Sequence, residues 1–271
     1  MSPRLANAIF AAPGLLLLGL VVLPVVALVA LTPPEDVVSG LSHPLAEPAF
    51  GLSLLTTSVS LGVIALLGTP LAWALAQARP TALLPRLVEL LLAVPAVLPP
   101  AVAGVGLLLA FGSRGLVAHL AGPDLWPGLG GTTAAVVLAE VFVASPFFMS
   151  AAVGAFRAVA PEQLGAARTL GASPLGLFFR VALPVARRGL IAGAAMAWAR
   201  ALGEFGATLM FAGSVEGRTQ TLPLALYATL EDDLAATRAI AAAMLVFAFA
   251  LLLLLRALTD RRGRVQVSRS A

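Results

Sequence analysis

Residues 157–188 read RAVAPEQLGAARTLGASPLGLFFRVALPVARR. Pro161 suits the first turn of a helix, and Glu162 suits the positive end of its dipole. Leu164, Ala167 and Leu170 follow at helical spacing, and Gly171 is a natural stop. Ser173 and Pro174 restart a helix as cap and first residue. Leu175, Phe178 and Phe179 give that second helix an apolar side, and Leu183–Pro184 marks its expected end. The segment predicts a short helix, a sharp turn and a second amphipathic helix. By pattern alone, two uses stay open: an interfacial helix lying on lipid headgroups, or a knob that docks in a groove on a cytoplasmic partner.

Outward from this segment, the chain is apolar on both sides. Of its 271 residues 60% are hydrophobic and 11% charged, with mean hydropathy +0.99. Soluble domains carry about twice that share of charge, so a bilayer is the solvent that fits. Six windows offer the roughly 20 apolar residues a spanning helix needs: about 8–31, 52–78, 87–111, 132–156, 189–212 and 236–258. The first is too long for a signal-peptide core and is expected to be a retained helix.

Arginine placement orients the spans. With the N-terminus inside, the inner segments hold Arg4; Arg79 and Arg86; Arg157, Arg168, Arg180, Arg187 and Arg188; and Arg256, Arg261, Arg262, Arg264 and Arg269. The outer loops hold only Arg114 and Arg218, and are acidic instead, with Glu35, Asp36, Glu47, Asp124, Glu216, Glu231, Asp232 and Asp233. The positive-inside rule favours this alternation, which an odd helix count would break. The expectation is an all-α membrane protein of about six transmembrane helices with both termini cytoplasmic. Residues 1–271 then form a single transmembrane domain whose longest cytoplasmic loop is about 157–188.

Composition also excludes chemistry. There is no cysteine, and all 17 basic residues are arginine. Disulfides, thiolate metal sites and Schiff-base catalysis are therefore absent, as is a P-loop, which requires lysine. His43 and His119 are the two imidazoles, both expected in loops. No Ser-His, paired-carboxylate or His-metal constellation lies within the spans, which argues against a membrane enzyme. The basic residues sit between apolar segments with no aromatic platform, which argues against nucleic acid. No metal site, cofactor or catalytic residue is expected in this chain.

The run GAARTLGASPLGLFFRVALP, residues 165–184, resembles the signature loop of ABC importer permeases: EAA, a Gly four residues after the last Ala, then a hydrophobic residue and LP. Ala166, Ala167, Gly171, Leu183 and Pro184 match; Gly165 stands where the family has Glu, and Glu162 does not take that place. The resemblance implies a type I importer permease fold in which this loop, including Glu162 and Gly165, forms the coupling helix that seats in an ATPase subunit. WARALGEFGATLMFAGS at 198–214, GRTQTLPLALY at 217–227 and Pro95–Gly104 resemble the molybdate/tungstate branch. The sulfate branch is similar around ARALGE but typically has Tyr after that Glu and diverges in the next segment. The resemblance further implies a homodimeric permease in the inner membrane. A soluble oxyanion-binding protein serves it, and ATP and Mg are held on two partner ATP-binding cassette subunits. A sulfate or thiosulfate permease is the nearest alternative. An ion-coupled secondary transporter is the other, and would call for more buried carboxylates.

Three ionisable residues fall inside spans: Glu140, Arg200 and Glu204. Charges at this depth normally face the protein interior or a water-filled path. Arg200 and Glu204, four apart, share a helix face and suit either a structural ion pair or a gate, with Glu140 a second possible partner for Arg200. Pro95, Pro99 and Pro100 interrupt the third window, as a packing kink or as lining of a pathway. Ser53, Thr56, Thr57, Ser58 and Ser60 suit a polar path or helix–helix glue.

Overall fold

In the computed structural model, residues 3–41, 43–79, 81–122, 124–230 and 233–260 are described; they are helices and connecting turns, with no strand among them. The helices are α1 (Pro3–Ala30), α2 (Pro34–Leu41), α3 (Ala46–Gln77), α4 (Leu83–Val97), α5 (Pro100–Phe111), α6 (Leu116–Ala121) and α7 (Thr133–Arg157). After them come α8 (Pro161–Thr169), α9 (Pro174–Leu177), α10 (Leu183–Leu202), α11 (Gly206–Ala212), α12 (Leu222–Thr229) and α13 (Leu234–Asp260). Arg261, Arg262, Arg264, Arg269, Glu231 and Asp232 lie outside the described residues.

Helix α7 is the axis of the bundle, packed against α3, α4, α10 and α11. Lipid tails are as apolar as leucine, so burying apolar surface does little to drive helices together in a membrane; close backbone approach does. The sequence supplies it. Gly189 and Gly193 on α10 face Ala151 and Ala155 on α7, and a Cβ on Gly193 would lie 2.8 Å from that of Ala151. Gly68 of α3 meets Phe148 and Met149 of α7 in the same way. Ala135, Ala139, Ala144 and Ala152 of α7 are fully buried. By contrast Pro13–Ala30 of α1 has no buried residue, and α4 presents Leu83, Leu84, Leu90 and Leu91 outward, a surface suited to lipid.

Four stretches are long and apolar enough to cross a membrane: Pro13–Ala30, Ala46–Gln77, Pro100–Ala121 and Thr133–Arg157, with Leu234–Ala250 a shorter apolar helix. Two expected windows differ from single helices. The window at 87–111 is α4 and α5, separated at Leu98–Pro99, where both residues are extended (ψ 134°). The window at 189–212 is α10 and α11, separated at Gly203–Phe205. Arg187, Arg188 and Arg200 lower the apolarity of α10. His119, expected in a loop, is on the short helix α6 with Nδ1 2.9 Å from the Gly115 carbonyl oxygen.

Helix α8 begins at Pro161 and ends as the glycine predicts. Gly171 is left-handed (φ +81°). Its N–H donates to the Arg168 carbonyl oxygen (2.9 Å), and the Ala172 N–H donates to that of Ala167 (3.0 Å). These are the two bonds of a Schellman stop. Ser173 then caps α9, its Oγ accepting from the Gly176 N–H at 3.1 Å. The helix predicted to end at Leu183–Pro184 instead continues. A π-helical segment at Phe178–Ala182 joins α9 to α10, and the Leu183 N–H donates to the Phe178 carbonyl oxygen. The wider turn absorbs the proline, whose ring clashes with the carbonyl four residues back in an ordinary helix. Trp73, Phe156 and Phe178 pin this segment to the bundle, with ring centroids 5.5 to 6.0 Å apart.

Candidate functional site

Three features stand out against the apolar background: a polar seam between α3 and α7, a pair of broken helices, and the free-standing helix α8.

The seam comes from the hydroxyl-rich stretch of α3. Glu140, 1% exposed, points from α7 at that stretch. Thr56 Oγ1 donates to its Oε1 (2.8 Å) and Ser60 Oγ to its Oε2 (2.7 Å), so both carboxyl oxygens have donors. On the neighbouring turn Trp198 Nε1 of α10 donates to Thr57 Oγ1 at 3.0 Å. Ser53 Oγ accepts from the Leu222 N–H at 2.8 Å, tying α3 to the start of α12. Four of the five predicted hydroxyls are thus buried glue between helices, while Ser58 is exposed. Glu140 is held by hydroxyls of α3, and no ion pair joins it to Arg200 among the described residues.

The broken helices meet each other. A Cβ on Gly206, the first residue of α11, would lie 2.8 Å from the Cβ of Pro100, the first residue of α5. One on Gly104 would lie 2.6 Å from the Cβ of Met210 and 2.7 Å from the Ala207 carbonyl oxygen. Non-helical backbone at membrane depth survives where protein satisfies it, and Glu204 does so here. Its Oε1 accepts from the Ala207 N–H at 2.8 Å, an orphan donor of the α11 N-terminus. Its Oε2 lies 2.6 Å from Arg200 Nη2. Glu204 is buried, whereas the Arg200 side chain is 27% exposed and keeps further guanidinium donors. Pro99 and Pro100 are exposed at the facing break, between α4 and α5.

Helix α8 is attached to the bundle through Leu164, its one buried residue. Beside it lies an open hollow of about 710 Å³ lined by Ala167, Leu170, Gly171, Leu175, Phe179 and Arg180, among others. Leu170, Leu175 and Phe179 are exposed there. Glu162 and Ala166 are also exposed, and a Cβ on Gly165 would meet nothing within 4 Å. Leu183 and Pro184 sit apart from α8, in the first turn of α10.

The residue pattern does not by itself pair Trp198 with Thr57, Gly104 with Met210, or Glu89 with Arg157, which stand 2.5 Å apart. An acidic residue at the edge of a span next to an arginine-rich loop was the one available signal for Glu89.

An apolar multi-helix bundle with broken helices and a short helix attached through one buried leucine fits a membrane transport subunit. Residues 64–264 match the family of binding-protein-dependent transport system inner membrane components, and the chain belongs to that family. It is 40% identical over 209 residues to the molybdenum transport system permease protein ModB of Mycobacterium tuberculosis, covering 77% of this chain and 78% of that one. It is 35% identical to the ModB protein of Azotobacter vinelandii, covering 83% and 98%. The fold also matches a chain of a bacterial alginate ABC transporter crystallised with an alginate pentasaccharide-bound periplasmic protein. There the TM-score is 0.73 at 14% identity, covering 95% of this chain and 96% of that one.

Proposed function

We propose that this chain is the membrane-spanning subunit of an ATP-driven importer of molybdate or tungstate. The observation that carries the reading is its likeness to molybdenum permeases, at 35–40% identity over most of both chains. The chain works as a homodimer with one passage at the two-fold axis and both termini in the cytoplasm. A soluble binding protein delivers the oxyanion to the outer face. ATP and Mg are held by two separate ATP-binding cassette subunits; this chain has no lysine and contributes no cofactor site.

Helix α8 is the coupling helix. The exposed apolar residues around its hollow suit a groove on the ATPase, and Glu162, Gly165, Ala166, Ala167 and Gly171 shape the contact, with Leu183 and Pro184 fixing the arm behind it. Closure of the ATPase pair on ATP shifts α8, and α9 through α10 carry the shift to the break at Gly203–Phe205. The passage runs past the exposed Pro99 and Pro100 and the partly exposed Arg200, with Glu204 and Glu140 supporting its wall. Arg200 draws the dianion in, while Glu204 beside it keeps the hold weak enough for release.

The test is co-expression with the ATPase subunit encoded beside it, purification in detergent, and comparison of intact chain with a charge reversal at Glu162 or a deletion within 162–171. Co-elution of the intact chain and its loss in the altered one support the reading. Transport of anions by this chain alone in liposomes, with no ATPase bound, would overturn it in favour of a secondary transporter. In proteoliposomes of the complete complex with its binding protein, ATP-dependent uptake of molybdate that a large excess of sulfate leaves intact separates this reading from a sulfate permease.

A further inference from the structure

The ends of α3 and α7 and the start of α4 enclose a cleft of about 370 Å³ lined by Arg79, Arg86, Arg157, Glu89 and neighbouring apolar atoms. It adjoins a second cleft of about 310 Å³, with Leu75, Glu89 and Arg157 common to both. The second adds Leu92, Ala93, Pro146, Met149 and Val153 to its walls, with Ser150 beside them. Glu89 is committed to Arg157 by their ion pair. Among the described residues neither Arg79 nor Arg86 has a carboxylate within ion-pair distance, so the cleft keeps an excess of positive charge.

We propose that this paired cleft binds an anionic phospholipid, its phosphate between Arg79, Arg86 and Arg157 and the upper part of an acyl chain along Leu92, Ala93 and Met149. Three features point to a lipid. The arginines stand where α3 and α7 end and α4 begins, and the ends of spanning helices lie at the headgroup level. The arginine-lined cleft adjoins one to which Leu92, Ala93, Pro146, Met149 and Val153 contribute, so charged and apolar side chains follow one another along one path, as a charged head with a hydrocarbon tail requires. The outward face of α4 beside it carries exposed Leu83, Leu84, Leu87, Leu90 and Leu91, which places the mouth among lipid tails. Arginine forks match phosphate geometry, and basic pockets between transmembrane helices are a known physical solution for holding lipid headgroups. The bound lipid neutralises arginines that otherwise repel one another across the base of the axial helix α7, directly before α8.

The test uses the full-length chain purified in mild detergent and titrated with phosphatidylglycerol or phosphatidylcholine of identical acyl chains, with bound lipid read by native mass spectrometry. Phosphatidylglycerol is expected to bind saturably and phosphatidylcholine at least 10-fold more weakly. R79Q/R86Q is expected to weaken phosphatidylglycerol binding about 30-fold, at the usual worth of a basic residue near an anionic surface. A93F fills the apolar cleft without touching charge and is expected to weaken binding too, while R114Q at the far end of the bundle leaves it unchanged. Elution volume and thermal midpoint establish that each variant is folded. Equal binding of the two lipids, or unaltered binding in R79Q/R86Q, overturns the proposal. Full displacement by inorganic phosphate with A93F harmless also overturns it, as a simple anion site. Loss of ATPase co-elution in R79Q/R86Q with lipid binding intact assigns the arginines to the ATPase instead and equally overturns it.

Discussion

Among the described residues two glutamates lie buried, and they are held in opposite ways. Glu140 sits in an unbroken helix and accepts from two hydroxyls on a neighbouring one. Glu204 sits where a helix stops, and holds a guanidinium on one side and a backbone N–H of the next helix on the other. The first joins two continuous rods through neutral donors. The second replaces hydrogen bonds that the backbone itself has given up. The same side chain therefore serves as glue in one place and as a splice in the other, and what its partners are decides which.

This contrast sets an order of effects. Glu204→Ala removes both the partner of Arg200 and the acceptor for Ala207, and should destabilise the chain by about 3 kcal/mol, the low end for a broken buried pair because Arg200 retains some solvent. Equilibrium unfolding in mixed micelles measures it, and replacing both residues by methionine should recover much of the loss; wild-type stability for Glu204→Ala would break the splice account. Gly104→Ala should cost about 2 kcal/mol, since its Cβ would press on Met210 and the Ala207 carbonyl, and should lower transport by the intact complex as well, because it pries α5 from α11. Glu140→Gln keeps one acceptor and loses the other, for about 1 kcal/mol. Uptake per folded molecule should then be unchanged, and a large loss of uptake without a loss of stability would move Glu140 from glue to pathway. Trp198→Phe forfeits one hydrogen bond to Thr57, and about 0.5–1 kcal/mol should go with it, visible in the same unfolding assay.

The parts of this architecture legible in the sequence are those governed by neighbours along the chain. Apolar length marks the helices, Pro161 and Gly171 bracket α8, and the four-residue spacing brings Arg200 to Glu204. Pro99 and Pro100 announce the break after α4. The break at Gly203–Phe205 is hidden because ARALGEFGATL keeps its helical apolar pattern straight through it, although its cap is local, Glu204 accepting from the Ala207 N–H three residues on. The π-helical turn is hidden for a related reason: one added residue leaves Leu177, Phe178 and Ala182 on a plausible face. The link from Glu140 to Thr56 and Ser60 spans 84 and 80 residues. Hydroxyl-rich α3 and a lone acid on α7 were visible separately, but a single sequence does not say which rods stand side by side.

From Pro174 to Leu202 the chain turns without interruption, through α9, the wide turn and α10. At 1.5 Å per residue that is roughly 40 Å of rod, longer than the hydrocarbon core is thick. The rod is held close to its Pro174 end by the rings of Trp73, Phe156 and Phe178, and along its middle by Gly189 and Gly193 against α7. A bar held at two places along its length cannot pivot about one of them, so a push at Ser173 arrives at Gly203 as a displacement of the rod together with α7.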